Sequence, residues 1–145
     1  TTGHAPSASQ AIDRIVDLFP PHERHLAQSR LAFLLIGVLC QTLVPRAHTS
    51  GRIPAVEIML ATSPVRNLIR EGKTYQLPNI IRMHAREGMI LLDQALINLY
   101  LERLISQESL LAFCNDHGEV TKVIGEAEQG NLGLAAIVPN YPEEQ

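Results

Sequence analysis

The stretch Ser63-Pro64-Val65-Arg66-Asn67-Leu68-Ile69-Arg70-Glu71-Gly72 decides how this chain is read. Ser63 suits a helix N-cap, and Pro64 suits the first helical position, where its missing N–H removes no bond. Val65, Leu68 and Ile69 are spaced three and four apart and share one apolar face. Gly72 suits the end of such a helix, since it takes positive φ without steric cost. Arg66, Asn67, Arg70 and Glu71 then fall on the opposite side. Arg66 and Arg70 stand one turn apart, a like-charge spacing that costs roughly 0.2–0.5 kcal/mol. A solvated face, with Glu71 relieving the charge, is the ordinary reading, and a binding surface is the alternative. Residues 66–87 hold five basic and two acidic groups. That locally basic stretch could engage an acidic surface, the chain's own acidic end included.

Upstream, Ser9 is expected to cap a helix carrying Ile12, Ile15, Val16 and Phe19, which Pro20-Pro21 stops. A longer helix is expected from Glu23, striped by Leu26, Ala27, Leu31, Leu34, Leu35, Val38 and Leu39. Residues 42–60 read as a β-hairpin, with residues 47–51 as its turn and Gly51 at positive φ. Pro45 and Pro54 each remove a ladder donor, so both strands read as edges or short pairs. Downstream, a helix is expected over residues 75–84 with Pro78 in its first turn. Gly88 breaks the pattern, and residues 89–104 form the next helix, with Leu92, Leu96 and Leu99 inward, joined by Leu91, Ala95 and Ile105. Ser106 caps a last short helix over residues 107–114. The fold is thus mainly α with one hairpin. Residues 1–117 form the folded subregion. Residues 118–145 are a Gly- and Pro-containing acidic tail, with at most one helical turn at residues 120–124.

The chain has 145 residues, 46% hydrophobic, with a formal charge of -3. This length fits one domain with a modest core, and the apolar content excludes a fully disordered chain. Near charge balance gives no support for nucleic-acid binding. No apolar run approaches the roughly 18 residues of a membrane span, so no membrane insertion is expected. The start has neither a basic nor an apolar region of the kind a signal peptide needs. It also lacks an initiator Met, which suggests a piece of something longer. Cys40 and Cys114 read as two buried thiols in a reducing cytoplasm rather than a disulfide framework. Charge is unevenly placed: residues 1–118 hold eleven basic and ten acidic groups, residues 119–145 one basic and five acidic.

Little in the residues themselves points to chemistry. Gly72-Lys73-Thr74 looks like the end of a phosphate-binding P-loop. That motif needs a glycine five positions earlier, where Asn67 stands, and it must follow a strand rather than a helix. Gly72 is better read as a helix cap with Lys73 favourable beside it. The six histidines show no metal-ligand spacing, and no serine sits in a nucleophile-elbow context. No catalytic, cofactor-binding or metal residue is therefore assigned.

Residues 64–71 resemble the Ala-Ile-Arg-Asn-Leu-Ile-Arg-Glu signature of the PilT family, the type IV pilus retraction ATPases, and are identical to it over residues 66–71. Residues 11–20 resemble the segment after that family's histidine box. Residues 51–59 resemble its second hairpin strand, and Gly88-Met89 with Leu92-Asp93 its next helix start. The resemblance runs in order over about residues 9–114. It implies the C-terminal part of a RecA-like P-loop motor ATPase domain that lacks the nucleotide-binding core. The Walker A loop, acidic boxes and main histidine box would precede Thr1. Thr1-Thr2 would be a remnant of that box, and His4 receives no catalytic role. The family implies a hexamer that hydrolyses ATP with Mg²⁺ to retract pili and drive twitching motility. It would act at the cytoplasmic face of the inner membrane, on a pilus-base or platform protein. The fragment alone would bind no cofactor and perform no catalysis. Arg66, Asn67, Leu68, Ile69, Arg70 and Glu71 would form its motor-transmission motif. On this reading Arg66→Ala and Arg70→Ala keep the fold and lose retraction, and Leu68→Ala costs roughly 2–5 kcal/mol through lost packing. The helix stripe of residues 26–39, left bare, would drive self-association. Two alternatives stay open: a related type II secretion or pilus assembly ATPase, which shares the hairpin pattern but typically not the 66–71 string, and a non-enzymatic helical adaptor of PilT-like descent.

Overall fold

Gly37 is where the chain departs furthest from its apparent helical period. In the computed structural model, which describes residues 7–130, the first two helices are α1 (Ala8–Asp17) and α2 (Arg24–Leu34). Leu35 then turns extended, and strand β1 (Gly37–Pro45) begins five residues earlier than residue 42, inside the stretch expected to be helical. The leucine stripe concealed a change of period. From Val38 onward, even-numbered residues turn inward and Leu39, Gln41 and Leu43 outward, the alternation of a strand. Gly37 is needed at the start of β1 because a Cβ there would lie 3.0 Å from the Met59 carbonyl oxygen. Strand β2 (Arg52–Leu60) returns to pair with β1, and Gly51 takes φ 103° in the connecting loop.

Beyond the hairpin come α3 (Ser63–Arg70), a 3₁₀ turn at Thr74–Gln76, α4 (Leu77–Met83) and a second 3₁₀ turn at Ala85–Glu87. Pro78 sits in the first turn of α4 as expected. The helix expected over residues 89–104 is shorter, α5 (Leu92–Leu101). Ile90 is extended instead, exchanging backbone bonds of 2.9 and 3.0 Å with Ile58. Helix α6 (Gln107–Phe113) is capped by Ser106 as read from the sequence. Caps shift elsewhere: Ser7, not Ser9, caps α1, and Thr62, not Ser63, stands at the N-cap of α3.

The largest departure is at the C-terminal end. The single turn expected at residues 120–124 is a twelve-residue helix, α7 (His117–Glu128), so the stretch assigned to the tail begins as packed structure. The Asp116 carboxylate accepts from the Glu119 N–H at 2.9 Å, and Asp93 holds the segment before it by accepting from the Asn115 and Asp116 N–H groups at 2.7 and 2.8 Å. Val120 and Ile124 are buried. The expectations for Thr1-Thr2, His4 and the tail from residue 131 lie outside the described residues.

The chain divides into two compact units, each with its own core. The first comprises residues 7–42 with Val56–Leu91. Its core gathers Ile12, Ala32, Met59, Val65, Ile69, Leu77, Ile81 and Met89. The second comprises Leu43–Ala55 with residues 92–130. Its core gathers Val44, Ala55, Leu92, Leu96, Ile97, Ile105, Leu110, Val120 and Ile124. The base of the hairpin therefore belongs to the first unit and its tip to the second.

One inward position on β2 is charged. Ile53, Ala55, Glu57 and Met59 alternate along the buried side, and Glu57 is only 2% exposed. Its Oε1 accepts from the Ala8 N–H at 2.6 Å, in the first turn of α1. A carboxylate there satisfies an otherwise orphaned amide and meets the positive end of the helix dipole. The same charge adds to burial, the larger effect, in pushing the Cys40 thiol above its usual range. Glu57→Ala is expected to cost about 1–3 kcal/mol, and Glu57→Gln less, since the amide oxygen still accepts. Removing the charge lowers the Cys40 pKa, so at pH 8 iodoacetamide should alkylate Cys40 faster in Glu57→Gln than in the parent. An unchanged rate would mean that no charge at Glu57 acts on that thiol.

Candidate functional site

Helix α3 is built as its sequence requires, with one exception on its polar face. Val65 and Ile69 are fully buried and Leu68 is half-buried, in the first core. Gly72 takes φ 69° after the last turn. The Gly72 N–H donates to the Ile69 carbonyl at 3.1 Å and the Lys73 N–H to the Leu68 carbonyl at 2.9 Å. This is the paired closure that a left-handed residue allows at a helix end. A Cβ on Gly72 would meet only the movable end of the Gln28 side chain, at 3.0 Å from Nε2, so it is the positive φ that calls for glycine.

The exception is Arg66, which is not freely solvated. Its Nε–H donates to the Ala61 carbonyl at 2.8 Å, and Nη1 donates to the Ala32 and Phe33 carbonyls, the latter at 2.8 Å. Ala32 and Phe33 lie in the last turn of α2, whose carbonyls have no partner within the helix. A guanidinium there bonds those oxygens and meets the negative end of the helix dipole. Arg66 is thus a clasp between α2 and the entry to α3. The remaining motif charges do face water. Arg70 Nη1 donates to Asn67 Oδ1 at 3.1 Å, and Lys73 pairs with Glu71 at 2.7 Å. That hydrogen bond, with the attraction between the charges behind it, draws the Glu71 carboxyl down and the Lys73 ammonium up. The site is a helix presenting Asn67, Arg70 and Glu71, with Arg66 bonded to the carbonyls beside its entry.

These residues do not fit a nucleotide. The amides of Gly72 and Lys73 close α3, and Lys73 is engaged by Glu71. A phosphate cradle needs both kinds of group free. Among the described residues, no cluster of three His, Cys, Asp or Glu could hold a metal ion, and no helix is long and apolar enough to cross a membrane.

Sequence reading missed Glu57 and the clasp role of Arg66. Glu57 left a trace, a lone acid in an inward row of apolar residues. Nothing in the spacing marks Arg66, because its partners are carbonyls more than thirty positions away.

No family model matches the chain. Individual proteins do. It is 42% identical over 108 residues to the type IV pilus retraction ATPase PilT of Pseudomonas aeruginosa, covering 74% of this chain and 31% of that one. Over 74% of its length, this chain is homologous to PilT. A twitching motility protein of Neisseria gonorrhoeae is 37% identical over 108 residues, covering 74% of this chain and 29% of that one. The crystal structure of the pilus retraction motor PilT with bound ADP superposes with a TM-score of 0.73 and 32% identity, over 83% of this chain and 33% of that one. The mainly helical fold with its hairpin is therefore that of part of a PilT ATPase, and the chain spans about a third of the length of these relatives.

The clasp separates structural from surface roles within the PilT motif. Arg66→Ala strands three carbonyls and should lower stability by about 1–3 kcal/mol. Asn67→Ala and Arg70→Ala should stay within about 0.5 kcal/mol of the parent. Ile69→Ala should cost about 2–5 kcal/mol, more than Leu68→Ala at its half-buried position. Urea unfolding of the five variants would rank them, and Arg66→Ala falling level with Arg70→Ala would remove the clasp.

Proposed function

We propose that this chain is the C-terminal part of a hexameric motor ATPase that powers type IV pilus retraction and twitching motility, and that α3 transmits ATP-driven motion to the pilus machinery. The observation that carries this reading is the unbroken 66–71 string on a helix whose apolar side is buried, whose end is locked by Gly72 and whose Asn67, Arg70 and Glu71 are exposed. A transmission element must move as a body and present fixed polar groups, and a helix clasped at its entry by Arg66 meets both needs. ATP and Mg²⁺ belong to the whole motor and are held by residues other than those described. The 145-residue chain alone does not turn over ATP. The whole protein works at the cytoplasmic face of the inner membrane, against a pilus-base or platform protein.

Placed in the full-length reading frame, Asn67→Ala with Arg70→Ala should leave ATP hydrolysis and subunit assembly at parental levels while abolishing twitching. Normal twitching by that double variant would sink the transmission role. Measurable ATP turnover by the 145-residue chain would sink its assignment as a non-catalytic part.

The same reading includes self-association. Leu26, Phe33, Leu34 and Ile36 are exposed large apolar side chains in and just after α2, a density of exposed apolar surface that marks an interface. Light scattering on the chain at rising concentration should show mass growing beyond the monomer. A constant monomer mass would argue against association through this face.

A further inference from the structure

The hairpin has one edge whose backbone groups lack partners. At its open end, the Ala61 N–H donates to the Ile36 carbonyl at 2.9 Å. Bonded pairs in an antiparallel ladder recur at every second residue, so Val38 and Cys40 of β1 bond Met59 and Glu57 of β2. This register turns the backbone groups of Ile58 away from β1, and that is where Ile90 bonds them. By the same alternation, Leu39 and Gln41 direct their N–H and C=O groups away from β2. Among the described residues, no backbone bond from outside the hairpin reaches either of them. Both side chains are exposed, Leu39 by 65%.

Folded proteins usually guard such an edge with charge, with proline or with a covering segment. No charged residue stands in residues 31–45, and the one proline there, Pro45, is the last residue of β1. Across the ladder, the outward side chains of Val56 and Ile58 are apolar too, and exposed Ile36 and Leu60 extend that face. A partner for this edge must be extended and uncharged, with backbone groups to spare at alternate residues. Among the described residues one strand meets that description, β1 itself. We infer that two copies of this chain pair edge to edge through β1. The strands run antiparallel about a two-fold axis at Cys40, and each Leu39 exchanges backbone bonds with the partner's Gln41. The product is a four-stranded sheet, where two strands alone are marginal. Like charges stay apart in it. Glu57, on β2, lies three strand spacings from its counterpart, about 14 Å, and each is held by its own Ala8 N–H. Arg30 and Arg46 fall beyond the ends of the paired stretch. On the far edge of each β2, Ile58 is already bonded to Ile90, so pairing closes at two copies instead of running on into a fibre. An isologous pair is not a contact of a six-membered ring, so the inference goes beyond the motor reading and does not depend on it.

Amide hydrogen exchange read by NMR, with light scattering on the same samples of the 145-residue chain, tests this. The mass should rise from one copy to two and stop there, with protection of the Leu39 and Gln41 amides rising in step. Gln41→Pro removes a donor that β2 does not use, so the hairpin is kept. Each copy loses one bond, and the dissociation constant of the pair should rise about tenfold or more. Leu39→Lys supplies the charge that guards natural edges and should do the same without altering the backbone. Leu39 and Gln41 amides that exchange freely at every concentration would overturn the inference even if the mass grows, since association would then run through another face, such as that of α2. Protection of those amides in a monomer would overturn it as well, because the edge would be covered within one chain. So would growth past two copies, or a dissociation constant that neither variant changes.

Discussion

The clasp of Arg66 on the Ala32, Phe33 and Ala61 carbonyls is the constraint from which the first unit takes its form. A helix end leaves its last carbonyls bare, and packing of a second helix part-buries the one at Ala32. Here the packed helix brings its own donor. The guanidinium is planar and carries several N–H groups, so one side chain can serve carbonyls from two segments at once. Lysine offers a single point charge and could not reproduce that geometry. The entry to α3, the exit of α2 and the residue that follows β2 therefore meet at one side chain. A motif that looks like a string of surface charges has one member turned to structural use and the others exposed to water.

Glu57 does comparable work from the other direction. It brings a charge into an otherwise apolar row and places it at the N-terminal amide of α1. Burying a carboxylate is costly unless hydrogen bonds and favourable dipoles compensate, and a helix N-terminus offers both. Helix α1 is thereby fixed to strand β2, within the same unit as the motif helix. The second unit repeats this device on its surface, where Asp93 receives the two amides that lead into α7.

Much of this was legible in the sequence, and the departures have physical causes. The helix at residues 63–70, its closure by Gly72, the Ser106 cap and the Gly51 turn were all readable, because each rests on local chemistry that a few neighbouring residues carry. The boundary between α2 and β1 was not. Leucines at residues 31, 34, 35 and 39 fit a helical stripe, and only pairing with a distant strand converts the last of them to an alternating pattern. The start of α5 failed for the same reason, since Ile90 is claimed by Ile58. Helix α7 is a different case. Asp116 and Glu119 form a capping pair, and Val120, Val123, Ile124 and Ala127 follow a helical spacing. Gly118 and Gly125 obscured that signal by suggesting a loop. At the motif, the spacing identified which face was polar. It could not reveal that one arginine on that face reaches carbonyls far away in the chain.

Gly72 carries a lesson about motifs. The run Gly72-Lys73-Thr74 is what a pattern search for nucleotide sites would mark first. The freedom that lets glycine wrap backbone around a phosphate is the freedom that lets it reverse the chain at the end of α3. Three letters therefore serve two unrelated ends, told apart only by what precedes them. A search on those three letters alone would place a nucleotide on a turn whose amides are already used to close α3. Because Gly72 takes φ 69°, any other residue there carries a steric penalty, and the false signal persists with the turn that needs it.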